Sequence, residues 1–548
     1  MNNNNNNNDN ISTASYALPL LMDATLEELR TGLDAGYFTS LQLVQAYTRR
    51  IQQVNPLLEA VTQINPDAHV IAIQLDNERD QMRNRSQLSK LGPLHGIPIL
   101  IKNTFATDDN MPTTSLHGVV GSRVPEDSTV VHKLRDAGAI ILGKTKTQWS
   151  AIRDDSYENT VEKWTHRGSR TRGAYFEGQV PKGSCGGCAV GASIGLAWAS
   201  VATDTDGSIT MPASQSNVVG FKPTVGLTSR HLAIPRALRQ ELTDTLRLES
   251  VGTMARTVKD AAYLMKAIMG RDRKDPYTAR IPFDIYPNYV AACREDGLQG
   301  MRIGFLRSLA WFFQICTYDL SVDKFNQALD MMRNAEATIV DGIMLNGAVN
   351  TDSDSAPRRC ALDFSLEFPR HLCHLEKTPR NMYSAIDSRD FTRKEPNDSD
   401  ARCQTNACKE APEMEKGETP TSQEVPGHEQ GYLDDLGLLA AFKKNELDAL
   451  ATWPHIAATL CSRMGNICAI TVPYEKLGPE RPIIASDDGF IDSAPNKPYG
   501  ISFISTSFQE EKLFKIAYAF EQLTQARSKV RPIVVPRTEL ADLLVRRS

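Results

Sequence analysis

Five apolar runs constrain this chain more than any other feature: GIPILI (96–101), AIIL (139–142), RIGFL (302–306), ICAITV (467–472) and GISFI (500–504). Runs of this length, apolar on both alternating faces, read as strands buried on both sides of a sheet. Helical signals stand between them. Thr25 with Glu28, and Thr39 with Gln42, have capping-box spacing, and Leu43, Val44, Tyr47, Ile51 and Val54 then form one apolar stripe that Pro56 is expected to stop. A further helix is expected from about Asp127, closed by Gly138, and the 188–203 stretch reads as helix followed by strand. Strands alternating with helices predict an α/β fold with a central sheet covered on both faces.

Composition fits a globular chain: 548 residues, 41% hydrophobic and 23% charged. A net charge of −5 gives no electrostatic footprint for nucleic acid or an anionic membrane. The richest apolar stretch, AVGASIGLAWASVAT (189–203), is shorter than the roughly 18–20 residues a membrane helix needs and is broken by glycines. Residues 1–15 are asparagine-rich, lack the features of a secretory signal and read as a disordered tail, so a cytoplasmic location is expected. The segment 394–430 is polar, charged and proline-bearing, and reads as a flexible insertion. Ten cysteines are few for this length; His371, Cys373 and His374, like Cys403 and Cys408, lack ordered zinc spacing and read as ordinary residues.

Two glycine-rich stretches carry the chemistry. GSCGGCAVG (183–191) and TDTDGSITMPA (203–213) each hold a serine in a loop, Ser184 and Ser208, 24 positions apart. A serine hydroxyl needs a base, and no histidine occurs between His166 and His231, although one from elsewhere in the fold could still reach. A lysine serves as base when desolvation disfavours its ammonium form. Lys102 ends the apolar run HGIPILIK, at the carboxyl end of an expected central strand, where α/β sites lie; the plain alternative is a lysine that snorkels to solvent. GASIG (191–195) matches a nucleophile elbow around Ser193, but a glycine loop and a helix start precede it where the elbow requires a strand, so Ser193 reads as a small packing residue. No G-K-[ST] follows the glycines, which weakens a phosphate cradle.

PLHGIPILIKNTFAT, GSCGG, TDTDGSITMPA, VVGFKPTVGLTSR and GTMARTVKDAAYLM occur in the order and spacing of the amidase signature family. The chain resembles that family from about residue 25 to 535, most faintly between 345 and 435, and is most like its fungal-type and peptide-amidase-like members. The resemblance implies one large domain over 16–548, with a mixed sheet covered by helices. It implies a Ser–cis-Ser–Lys triad in which Ser208 is the nucleophile, Ser184 sits on a cis peptide bond and relays a proton, and Lys102, neutral at rest, is the base. Backbone N–H groups of Thr205, Asp206, Gly207 and Ser208 would hold the oxyanion. The implied activity is hydrolysis of a small carboxamide with no metal or organic cofactor, no nucleic-acid partner and no membrane; oligomeric state stays open. Two alternatives are a catalytically degenerate binding protein and a glutamine-dependent amidotransferase A-type subunit.

Four positions depart from the family pattern. Asp206 replaces a glycine, Thr210 an arginine, Asn103 an aspartate and Cys185 a serine. The Asp206 carboxylate would oppose an oxyanion unless it points away, and the outward placement is expected.

Overall fold

The structure, a computed structural model, describes residues 17–111, 123–147, 170–233, 248–306, 322–343, 345, 437–464, 467–485 and 491–544. The asparagine-rich tail, the 394–430 insertion and His371, Cys373, His374, Cys403 and Cys408 lie outside them.

In chain order the main elements begin with α1 (Leu26–Ala35), α2 (Ser40–Leu58), β1 (Val61–Ile64), α3 (Ala68–Asn84), β2 (Pro98–Lys102), α4 (Thr129–Asp136) and β3 (Ile140–Thr145). Next come α5 (Gly186–Ser193), β4 (Ala199–Asp204), α6 (Thr210–Gln215), β5 (Val219–Lys222), β6 (Ser250–Ala255), α7 (Val258–Ile268) and α8 (Tyr289–Ala292). The remainder is β7 (Arg302–Phe305), α9 (Val322–Asn334), β8 (Thr338–Val340), α10 (Leu438–Asn445), β9 (Ala449–Thr452), α11 (Pro454–Met464), β10 (Ile467–Lys476), the short ribbon β11 (Ile484–Ala485) and β12 (Ile491–Ser493), β13 (Pro498–Thr506) and α12 (Glu510–Thr524).

Both expected capping boxes form, at Thr25/Glu28 and Thr39/Gln42. Pro56 does not stop α2, which runs on to Leu58 and closes with Glu59 in the left-handed region. Proline removes one N–H from the ladder, but Asn55 holds the turn that follows: its carbonyl accepts from Glu59 N–H, and its side chain makes two 2.8 Å bonds to the Val61 backbone. Ser128 caps α4 and Gly138, with φ 81°, follows it, as the sequence predicts.

All five apolar runs lie in one eleven-stranded mixed sheet, ordered β1-β3-β2-β4-β6-β5-β10-β13-β9-β7-β8. β2 is parallel to both of its neighbours, β3 and β4, whereas β4, β6, β5, β10, β13 and β9 pair antiparallel in succession. Adjacent residues of β5 show that both faces are covered. Gly220 faces α6, where an added Cβ would lie 2.5 Å from Ala213 Cβ, whereas Phe221 packs on Phe514 of α12 with ring centroids 4.4 Å apart. α5, α6 and α11 share the first face; α4, α7, α8 and α12 pack together on the second. No helix among the described residues is long and apolar enough to cross a membrane.

Candidate active site

The parallel strands β2 and β4 end side by side, and their carboxyl ends carry the site. Lys102 is the last residue of β2 and is 3% exposed, so its ammonium head does not reach solvent as a snorkelling lysine would. Its Nζ donates to Ser184 Oγ at 2.7 Å and to Thr203 Oγ1, from β4, at 2.8 Å. Ser184 Oγ in turn lies 2.8 Å from Ser208 Oγ, and the Ser184 N–H approaches the same oxygen at 3.4 Å. Lysine and both serines thus form one continuous chain, with both hydroxyls half-buried at its open end.

The local backbone explains how residues 82 and 24 positions apart meet. Ser208 lies on the tight turn between β4 and α6. Asp204, fully buried at the end of β4, folds that turn by accepting from Gly207 N–H at 3.0 Å and Ile209 N–H at 2.6 Å. Gly207 has φ 74°, and a Cβ there would lie 2.4 Å from Ala458 of α11, so the position requires glycine on two counts. The Ser184 loop is braced against α6, because Gln215 accepts from Lys182 N–H at 2.8 Å and its carbonyl accepts from Gln179 Nε2 at 2.7 Å.

Three arginines, two of them buried (Arg50 and Arg256), fix the other end of α5. Arg256 donates to the carbonyls of Ala192 and Ala197, Arg527 to that of Ser193, and Arg50 to those of Ile194 and Gly195, all at 2.6–3.1 Å. These carbonyls include the last of the helix, which have no intrahelical partner, and cations suit that end of the helix dipole.

Two expectations need correction. No cis peptide bond occurs among the described residues, so Ser184 follows a trans linkage; Gly183, at φ 106°, supplies the backbone excursion that brings it between Lys102 and Ser208. Gly207 also leaves the proposed oxyanion donors, because its N–H is committed to Asp204. The remaining candidates fall as follows. Asp206 is exposed and Thr205 Oγ1 donates to Glu249 at 3.3 Å. Asn103 is buried, accepts from the Thr147 hydroxyl and donates its N–H to the Thr145 carbonyl, so it ties the end of β2 to β3. Thr210 is buried at the start of α6. Ser193, at the far end of α5, is buried with its hydroxyl 2.9 Å from that of Tyr175, as a packing residue would be.

Cys185 lies fully buried beneath Ser184, with its Sγ 3.8 Å from Ser184 Oγ and 3.1 Å from the Thr203 carbonyl. Burial pushes its thiol up, but the hydrogen bond from Cys188 and the charge of Lys102 together outweigh it and bring it down to about 6. Thr203 and Asp204 were not singled out in the sequence. The available signal was the aspartate placed just before a D-G turn, where its side chain can bond N–H groups ahead of it.

A buried lysine linked through one serine to a second can activate a hydroxyl, and similarity to known proteins places the chain in a family. The chain belongs to the amidase family, whose model matches residues 42–346. It is 36% identical to an Arthroderma benhamiae protein assigned as an amidase, over 96% of this chain and 90% of the relative. It is 33% identical to the A-type glutamyl-tRNA(Gln) amidotransferase subunit of Chloroflexus aurantiacus, over 58% of this chain and 60% of that one. The native peptide amidase of Stenotrophomonas maltophilia superposes with a TM-score of 0.70 at 29% identity, covering 94% of this chain and 99% of that one.

Proposed function

We propose that this amidase cleaves a carboxamide through an acyl-enzyme on Ser208, with Ser184 as proton relay and Lys102 as base. The observation that carries the reading is the unbroken chain from Lys102 Nζ to Ser184 Oγ at 2.7 Å and on to Ser208 Oγ at 2.8 Å. Hydroxyl protons rotate freely, so the chain can conduct in either direction. With Lys102 neutral, Ser208 gives its proton to Ser184 as it attacks the carbonyl, and Ser184 gives its own to Lys102. The proton returns by the same route to the departing nitrogen, ammonia or an amine leaves, and water then releases the acid. Thr203 keeps Lys102 aimed at Ser184. The N–H groups of Thr205, Asp206 and Ser208 face the developing oxyanion, and such a donor contributes about 3 kcal/mol to the transition state.

The amidotransferase relative covers 58% of this chain, whereas the Arthroderma benhamiae relative covers 96%, which favours a self-contained hydrolase over an amidotransferase subunit. Likeness to a peptide amidase makes peptide carboxamides the first substrates to try, alongside aliphatic and aryl amides. A cytoplasmic setting belongs to the same reading.

The test is ammonia release from such a panel, together with labelling by a fluorophosphonate. The wild type should label at Ser208. Ser208→Ala should lose label and hydrolysis by several orders of magnitude while its circular dichroism stays unchanged. Activity near wild type in that variant would exclude Ser208 as nucleophile.

A further inference from the structure

The Ser184 loop runs directly into a C-x-x-C pair, Cys185-Gly186-Gly187-Cys188. Cys185 is the N-cap of α5 and Cys188 lies in its first turn, the two positions whose side chains meet in a capping box. Both sulfurs face the same strand: Cys185 Sγ bonds the Thr203 carbonyl at 3.1 Å and Cys188 Sγ the Val201 carbonyl at 3.6 Å, alternate residues of β4. Residues three apart on a helix have Cα atoms roughly 5 Å apart, inside the window of about 4.4–6.8 Å that a disulfide spans. Both cysteines are free in this structure.

We infer that Cys185 and Cys188 form a peroxide-sensitive dithiol whose oxidation to a disulfide draws the Ser184 loop away from Lys102 and Ser208 and switches the site off. The disulfide itself follows from the cysteine geometry alone; its effect on turnover rests on the proposed function.

The chemistry balances with a hydroperoxide as oxidant. The Cys185 thiolate attacks the O–O bond, forming a sulfenic acid and releasing hydroxide, which takes up the thiol's proton to become water. The Cys188 sulfur then attacks the sulfenic sulfur, the S–O bond breaks, and a second water leaves as the S–S bond forms. Two electrons pass from the thiols to the peroxide, and an external dithiol reverses the change. The pair has the required asymmetry: the Cys185 thiol is held low and the Cys188 thiol is pushed up, chiefly by burial, so the first attacks and the second resolves. Lys102 lowers Cys185 only while it is itself protonated, so the attacking thiolate and the neutral catalytic base are alternative states of one site. Both sulfurs are buried, but the half-buried Ser184 hydroxyl is 3.8 Å from Cys185 Sγ, so a water-sized oxidant can enter from the reaction site.

Peptide mapping tests this directly. Cleavage after Lys182 and Arg230 yields a tryptic peptide, 183–230, that holds these two cysteines and no others. After hydrogen peroxide and alkylation it should be recovered short of two hydrogens and unalkylated. The rate of fluorophosphonate labelling at Ser208 should fall about a hundredfold, the size of effect an ~1 Å misplacement of a catalytic group produces, and return with dithiothreitol. Cys188→Ser should keep its basal labelling, form no disulfide and leave Cys185 as a sulfenic acid that dimedone captures. Both cysteines of the peptide alkylating fully after peroxide would overturn the inference, and so would a disulfide that leaves Ser208 labelling unchanged. If the reduced enzyme does not label at all, the serine mechanism fails, and the peptide map still decides the dithiol.

Discussion

Two aspartates two positions apart do opposite jobs in the nucleophile turn. Asp204 is buried and folds the turn through the N–H groups of Gly207 and Ile209, whereas Asp206 is exposed. Asp204→Asn places an amide donor against one of those N–H groups. It should cost about 2 kcal/mol of stability and lower kcat/KM by about a hundredfold through misplacement of Ser208. Asp206→Asn should leave kcat/KM similar or slightly reduced. Steady-state kinetics and urea melts of the two variants side by side check this. A large rise in kcat for Asp206→Asn, with its pH profile moved to lower pH, would mean that the carboxylate faces the oxyanion. Ser184 and Ser208 stood out as serines in glycine-rich loops and Lys102 as the end of an apolar run, but joining them into one site came from family likeness. Thr203 and Asp204 did not stand out, since their value depends on which side of β4 meets Lys102, and that is fixed only when β2 and β4 pair. The trans linkage before Ser184 was equally invisible, because the expected cis bond came from family likeness and not from the residues.

At the level of elements, α5 is held at both ends. Its first turn carries the cysteines beside the site, and a Cβ on Gly187 would lie 2.5 Å from the Ala60 carbonyl, so the helix sits tight against the end of β1. At its last turn, Arg256 reaches the carbonyls of Ala192, Ala197 and Ala24 from a side chain that is 1% exposed. Arg256→Leu leaves these acceptors buried without a donor and should destabilise the fold by about 3 kcal/mol or more. Chemical denaturation measures that loss, and Arg256→Lys should recover part of it. A leucine variant as stable as wild type would show that the arginines do not anchor the helix. The apolar runs revealed their strands because burial on both faces leaves a mark in local sequence. The run of α2 past Pro56 and the convergence of Arg50, Arg256 and Arg527 leave no such mark, since they depend on partners far along the chain.

Across the whole molecule, two carboxyls of the second helical layer each hold the start of another helix. Asp260 accepts from Leu26 N–H at the start of α1, and Glu521 from Val258 N–H at the start of α7, each at 2.9 Å. Burial raises Asp260 to about 6 and, with Asp260 nearby, Glu521 to about 8. Both values exceed those of the unfolded chain, so each carboxyl favours the folded state while protonated. That contribution is complete below about pH 4 and is lost as pH rises through 6 and then 8. Glu521→Gln should therefore match the wild type in Tm at about pH 4 and exceed it at pH 9, by an amount worth a few kcal/mol. Thermal melts across that range check it, and equal pH slopes for the two proteins would refute it. The arginine clamp on α5 has a further consequence, for the timing of synthesis. Arg527 reaches Ser193 across 334 residues, so a chain still emerging from the ribosome can build most of its sheet and yet lack a settled catalytic loop. The last of the three anchors on α5 is therefore in place only once the chain has been made as far as Arg527.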